Sequence, residues 1–419
     1  MLTKSPRGTK DILPEDMYKW LYVEEAFRDI CYKFGYKGIR TPIFEHTEVF
    51  KRGVGETTDI VQKEMYSFED NGGREITLKP EGTAPVVRAF IENKLYADAQ
   101  PVKLYYITPC FRYERPQAGR LRAFHQFGIE AFGTINPGID AEVIALAMNF
   151  FRTLKIKNLE LRINSVGCKK CRSEYNKILK TYLKDKLPSL CNTCQDRFER
   201  NPMRIIDCKS ETCKEQLTNI PLMIDHICDQ CKDDFESLKE NLSLMDIKYT
   251  VDPTIVRGLD YYTKTAFEII SNEIGAQATV CGGGRYDGLM EELGGPETPG
   301  IGFGMGIERL LLTLKNNNIE IPKPKDMDVF IVTIGDKSKK EATKLLSKLR
   351  VEGISADKDY MDKSIKAQFK YANKKNAEYC VVIGDDELEK GIVTLKNMEI
   401  GEQVEVELDN IVTELKNRL

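Results

Sequence analysis

The chain reads as an α+β domain built on an antiparallel sheet, broken by a Cys-rich insert and followed by a small α/β domain. Three observations predict this. Residues 103–112 and 122–133 are extended runs around a polar loop, the pattern of an antiparallel hairpin, in a region without a regular βαβ rhythm. Eight of the twelve cysteines fall in 168–231, a stretch rich in Lys, Glu and Asp and poor in large apolar residues. After Ile321-Pro322-Lys323-Pro324-Lys325, a linker-like run, apolar strands alternate with amphipathic helices, which suggests a largely parallel sheet. At roughly 150 residues per domain, 419 residues make two to three domains. We place the first at 1–322, interrupted by the insert at 166–247, and the last at 326–419.

The elements follow in order. Met17–Tyr32 carries helical periodicity, and Pro137–Leu154 reads as a helix after the hairpin. In the last domain Val329–Ile334 and Tyr379–Gly384 read as strands, Lys339–Val351 and Ser364–Asn376 as helices. Cys281–Gly288 reads as a Gly-rich turn, and Gly302, Gly304 and Gly306 as glycines opening a helix.

Charge and composition exclude several classes. Lys plus Arg is 62 and Asp plus Glu 65, so the formal charge is 62 − 65 = −3. That total argues mildly against a nucleic-acid partner. The polar N-terminus has no apolar core of a signal peptide, and no run approaches the ~18 apolar residues of a membrane span. A cytoplasmic protein is expected, with reduced thiols. There is no phosphate-loop motif, no G-x-G-x-x-G after a strand and no G-x-S-x-G elbow. Three histidines, His46, His125 and His226, give poor support to a His-based metal centre or a Ser-His-Asp triad.

The strongest signal is Phe111-Arg112-Tyr113-Glu114-Arg115-Pro116-Gln117-Ala118-Gly119-Arg120-Leu121-Arg122. Four arginines crowd a hairpin tip, either as a solvated basic loop or as a site for a polyanion, whose oxygens match the guanidinium fork. On the returning strand, period-2 alternation puts Gln126, Gly128 and Glu130 on one face and Phe127, Ile129 and Ala131 on the other. The first face suggests a pocket floor in which Gly128 leaves room for a ligand.

Phe-Arg-x-Glu followed by Arg and a strand resembles motif 2 of class II aminoacyl-tRNA synthetases, and the fuller string FRYERPQAGRLRAFHQFGIEAFG resembles the histidyl-tRNA synthetase family. Other segments resemble that family in the expected order: Arg7–Pro14; Thr41–Glu45 (motif 1, a dimer-interface unit); Leu78–Ala84; Val256-Arg257-Gly258-Leu259-Asp260-Tyr261-Tyr262-Thr263; Cys281–Gly288; and Gly302–Leu310 (motif 3). Taken bottom-up, Thr83 could simply cap a helix and the tyrosine pair could simply pack. The C-terminal block resembles the family's anticodon-binding domain.

The resemblance implies an ATP-dependent ligase acting on L-histidine and histidine tRNA as a homodimer, with Mg²⁺. Arg112, Arg257 and Arg309 would be catalytic. Glu81, Gly82, Thr83, Gln126, Glu130, Tyr261, Tyr262 and Tyr286 would bind histidine. Arg112, Glu114, Arg120 and Arg309 would bind ATP. A non-catalytic paralogue, of the ATP phosphoribosyltransferase regulatory-subunit type, is the alternative. Such proteins typically lose motif residues, whereas all three arginines are present here.

Two features remain, of which the first lies outside the general family pattern. Cys168, Cys171, Cys191, Cys194, Cys208, Cys213, Cys228 and Cys231 form knuckles of the kind that hold structural zinc, and their pairing is open in the sequence; plain free thiols are the other reading. Lys363, Lys366, Lys370 and Lys374 recur along one helix face, either as a solvated surface or as a contact for tRNA phosphates.

Overall fold

A computed structural model describes residues 3–55, 58–208, 210–271 and 279–419. It divides into two compact units, Met1–Ile321 and Pro322–Leu419.

The first unit is organised by an eight-stranded sheet. Its order is Lys37–Gly38, Val102–Phe111, Ala123–Phe132, Gly300–Gly306, Thr279–Arg285, Thr263–Ser271, Leu159–Ser165 and Thr250–Val251. The six central strands pair antiparallel, and the two-residue strands pair parallel at the edges. A small separate sheet joins Phe44–His46, Glu75–Leu78 and Tyr66–Glu69.

Alternation decides which face is covered. Phe127, Ile129 and Ala131 point into an apolar core with Ile301, Phe303 and Met305 from the next strand. Helices Pro14–Lys33 and Pro137–Thr153 close that face, and Phe27 stacks on Phe127 with ring centroids 4.4 Å apart. The opposite face carries Gln126, Gly128 and Glu130.

Glycines flatten that second face. Registered across neighbouring strands run Glu268, Gly282, Gly304, Gly128 and Tyr106. Three adjacent strands thus present glycine side by side. Cys281–Arg285 is therefore strand rather than turn, and Gly302–Gly306 is strand, with the helix starting only at Ile307. Glycine has low strand propensity, so the composition disguised both elements.

The cysteine stretch does not stand apart from this core. Its last helix, Asp229–Leu244, buries Phe235, Leu238 and Leu242 in the main apolar cluster.

The second unit is three-layered. Strands Ala356–Lys358, Met327–Ile334 and Ala377–Gly384 run parallel, and Ile392–Asn397 and Gln403–Glu407 add an antiparallel hairpin. The sheet is thus mixed rather than largely parallel. Val329 and Ile331 face helices Asp336–Val351 and Ile411–Arg418, whereas Phe330 and Val332 face helix Ile365–Lys374. That helix begins after Ser364, so Lys363 precedes it and packs its ammonium 4.8 Å from the Tyr371 ring centroid. Lys366, Lys370 and Lys374 are exposed.

Candidate active site

A cleft of about 500 Å³ opens over the glycine floor in the first unit. Arg112, Arg120, Arg257 and Arg309 line it, together with Glu81, Glu114, Glu268 and Glu308. These eight residues come from four stretches of the sequence, at 81, 112–120, 257–268 and 308–309, brought together by the sheet order.

The hairpin supplies two of the arginines. Arg112, just past the end of its strand, is fixed by donation from its Nε to Pro80 O at 2.8 Å, and its guanidinium lies 5.4 Å from the Phe124 ring centroid. Glu114 receives Arg120 at 3.1 Å and lies 3.8 Å from Arg112, which offsets the repulsion expected of crowded guanidiniums. The other two hairpin arginines do something else. Arg115 is exposed and does not line the cleft. Arg122 stacks 3.8 Å from the Tyr113 ring centroid, and its backbone N–H donates to Gly8 O at 2.7 Å. The Arg7–Pro14 segment is therefore pinned to the base of the hairpin.

Helix Ile307–Asn316 supplies Arg309, whose Nη1 donates to Thr279 O at 2.6 Å. Burial, then repulsion from Arg120, weakens its hold on its proton, as expected where cations converge on a space for an anion. One residue earlier, Glu308 accepts the His125 backbone N–H at 2.9 and 3.0 Å, locking this helix start to the hairpin strand.

Arg257 approaches from the opposite side. Its guanidinium pairs with Glu268 and lies across Gly282; a Cβ there would meet Arg257 Nη2 at 2.3 Å. It also lies 5.5 Å from the Tyr262 ring centroid. Gly304 is used in the same way, a Cβ meeting Gln126 Nε2 at 2.3 Å.

The predicted histidine-binding residues fall into two layers. Glu81, Thr83, Gln126, Tyr261 and Tyr262 line the cleft. Gly82, Glu130 and Tyr286 lie buried behind it. Glu130 is fully buried, accepting from the Tyr286 hydroxyl and from Tyr106 Oη at 3.2 Å. Burial raises its pKa to about 8, against these hydrogen bonds, which favour the ionised form. Glu81, rather than Thr83, caps helix Thr83–Glu92: its carboxylate accepts the Thr83 and Ala84 backbone N–H groups at 2.8 and 2.7 Å. Gly82 N–H donates to Gln126 Oε1 at 3.1 Å.

The space at Gly128 belongs to the protein. A Cβ there would meet Tyr106 Cζ at 2.1 Å, so the Tyr106 ring lies over it and no ligand fills it. Tyr106, Glu268 and Glu308 escaped the sequence reading. Tyr106 alternates with core residues along an apolar strand; Glu268 and Glu308 are single carboxylates, whose partners are Arg257, eleven residues earlier, and the distant His125 N–H.

The eight insert cysteines gather into two sets, Cys168, Cys171, Cys228 and Cys231, and Cys191, Cys194, Cys208 and Cys213.

Comparison with known proteins decides the family. The histidyl-tRNA synthetase family profile matches residues 8–310, and an anticodon-binding domain profile matches 328–418. The chain belongs to the histidyl-tRNA synthetase family. The histidine–tRNA ligase of Clostridioides difficile (strain 630) is 64% identical over 100% of both chains, and that of Alkaliphilus oremlandii (strain OhILAs) 63% over 100% of this chain and 99% of its own. Apo S. aureus histidyl-tRNA synthetase superposes with a TM-score of 0.86 at 45% identity, covering 99% of this chain and 100% of that one. A Bacillus halodurans protein described as an ATP phosphoribosyltransferase regulatory subunit/histidyl-tRNA synthetase shares the fold alone, at 22% identity and a TM-score of 0.63. The regulatory alternative is not favoured. No helix among the described residues is long and apolar enough to cross a membrane.

Proposed function

We propose that this cleft joins L-histidine to ATP, releasing pyrophosphate, and passes the histidyl group from the adenylate to the 3′ end of histidine tRNA. The observation that carries this reading is the convergence of four arginines over a glycine floor that ends at the buried Glu130–Tyr286 pair.

The first step brings a carboxylate to an α-phosphate, two anions. A histidine carboxylate is ionised at neutral pH, so no base is required; the chain must position the reactants and neutralise charge. Arg112 and Arg257, at opposite sides of the cleft, are suited to hold the α-phosphate and the carboxylate between them. Arg120 and Arg309 are suited to the leaving pyrophosphate. Oxygen donors for Mg²⁺ are present in Glu114 and Glu308, in keeping with an ion that takes one or two carboxylates beside its phosphates. Mg²⁺ supplies charge neutralisation on the β- and γ-phosphates when bound.

Selection of the side chain belongs to buried polar groups. Tyr262 in the cleft lining, backed by the buried Tyr286 and Glu130, is suited to receive an imidazole, and Glu81 and Thr83 offer oxygens to an ammonium. A site of this kind rejects analogues that leave its groups unpaired, by roughly 10⁴-fold. Residues 326–419 would read the anticodon and 1–322 carry the chemistry, with 166–247 as an inserted part. Exposed Ile43, Phe44 and Phe68 at the small sheet offer an apolar face to a second copy, and we take the working form as a cytoplasmic homodimer. The clustered cysteines are suited to structural zinc.

Charging of unfractionated bacterial tRNA with labelled histidine tests the reading. Histidine esterified to tRNA in an ATP-dependent way is expected; no charging with any tRNA would overturn it.

A further inference from the structure

We infer that the insert holds two zinc ions in nested four-cysteine sites, and that the inner site braces one wall of the cleft. The eight cysteines pair as brackets, not in succession: the first and last knuckles form one set and the two middle ones the other.

The geometry is that of a single tetrahedral ion in each set. All four Sγ atoms of a set lie within 4.8 Å of one another. A Zn–S bond of about 2.3 Å puts tetrahedral sulfurs roughly 3.8 Å apart. Observed Sγ separations are 3.4 Å for Cys168–Cys171, 3.9 Å for Cys171–Cys231 and 3.9 Å for Cys191–Cys208. A disulfide would require about 2.05 Å, and all eight thiols are free. Four sulfurs with no fifth position make a closed, structural site, and soft thiolates in this geometry select zinc.

The surroundings are built for charged sulfur. Cys168, Cys191 and Cys228 each occupy the cap position of a helix, with Cys171, Cys194 and Cys231 in its first turn. Helix starts favour thiolate over thiol. Backbone N–H groups also cross between knuckles of a set, Cys228 N to Cys171 Sγ at 3.1 Å and Cys191 N to Cys213 Sγ at 3.2 Å. Hydrogen bonds of this kind orient metal ligands.

The inner site reaches the cleft through the chain between Cys194 and Cys208. From that stretch Asn201 donates to Asp260 Oδ1 at 2.6 Å and Arg204 Nη1 to Gly258 O at 2.6 Å, while Arg197 pairs with Asp59 at 2.8 Å. Gly258, Leu259 and Asp207 line the cleft beside Arg257. Closing Cys191, Cys194, Cys208 and Cys213 on one ion fixes both ends of this stretch, and with it the wall that carries Arg257.

Metal analysis of the full chain, purified without chelator, should find two zinc ions per chain. The variant Cys168→Ser/Cys171→Ser/Cys191→Ser/Cys194→Ser breaks both nested sites and should bind none, whereas successive pairing would leave it one. Cys191→Ser/Cys194→Ser/Cys208→Ser/Cys213→Ser should retain one. Should the variants not fold, Co²⁺ loading of the reduced wild type should saturate at two ions with the spectrum of tetrahedral thiolate ligation. Fewer than two sites in the wild type, iron instead of zinc, or one zinc in the first variant would overturn the assignment. The brace rests on the activity proposed above. Losing the inner zinc, the one held by Cys191, Cys194, Cys208 and Cys213, should raise the histidine KM in ATP–pyrophosphate exchange at least tenfold, and Asn201→Ala should reproduce part of that rise with both zinc ions in place. Unchanged constants in both would overturn the brace. A wild type with no exchange but two zinc ions would fault the activity reading and not the metal sites.

Discussion

Arg257 occupies space that its neighbour gives up, since its guanidinium lies where a side chain on Gly282 would be. Glu268 holds it there, and Glu268 keeps a second partner in Thr279 Oγ1 at 2.9 Å. Arg257→Ala should therefore leave thermal unfolding nearly unchanged while lowering histidine-dependent exchange by at least about 10²–10³-fold, the usual cost of one preorganised donor to developing charge. Near-normal exchange would sink the assignment. Glu130 makes a prediction about pH. Its pKa rises from an ordinary 4.5 to about 8, so the folded protein holds a proton that the unfolded chain releases. The associated stability is fully present below pH 4.5 and lost as pH rises through about 8. Glu130→Gln should flatten the fall in melting temperature between pH 6 and pH 9; an identical slope in both proteins would refute this. At this scale Arg112, Arg257 and Arg309 were legible because their motif strings are local. Glu268 and Tyr106 were not, because their meaning lies in cross-strand register, which no short string records.

Among the elements, the strands that carry glycine govern the site. Gly128 and Gly82 sit against the Tyr106 ring, where added Cβ atoms would come within 2.1 and 2.2 Å. Gly128→Ala should cost about 1–3 kcal/mol, as overpacking does, and Tyr106→Leu in the same chain should return part of it. Urea midpoints for the single and double variants check this, and additive losses would contradict it. Helix Pro137–Thr153 was readable with the Pro at its start, and Pro14–Lys33 from the periodicity of Met17–Tyr32, which left its first turn unread. Strands Thr279–Arg285 and Gly300–Gly306 were not, since glycine placed for close approach looks like glycine placed for a turn. The lysine helix was read one residue early, and the lysine stripe was extended to Lys363, which precedes the Ser364 cap position and belongs to the loop.

At the level of the whole molecule, a net charge of −3 conceals separated functions. Four arginines line the cleft in the first unit among Glu81, Glu114, Glu268, Glu308 and Asp207, and Lys366, Lys370 and Lys374 stand exposed on one helix of the second. If those lysines meet RNA phosphates, changing all three to Gln should lower the slope of log affinity for tRNA against log salt by about two to three. An unchanged slope would assign them to solvent. The division of the chain was legible from the Pro/Lys run near 322, and the cysteine insert from its spacing. The packing of Asp229–Leu244 into the main core was hidden, because an amphipathic helix does not name the face it covers. Under the proposed function, one cleft both selects histidine and activates it with ATP. ATP–pyrophosphate exchange with each of the twenty amino acids in turn tests this most directly. Exchange driven by L-histidine and by no other amino acid is predicted; exchange driven by a different amino acid, or by none, would contradict it.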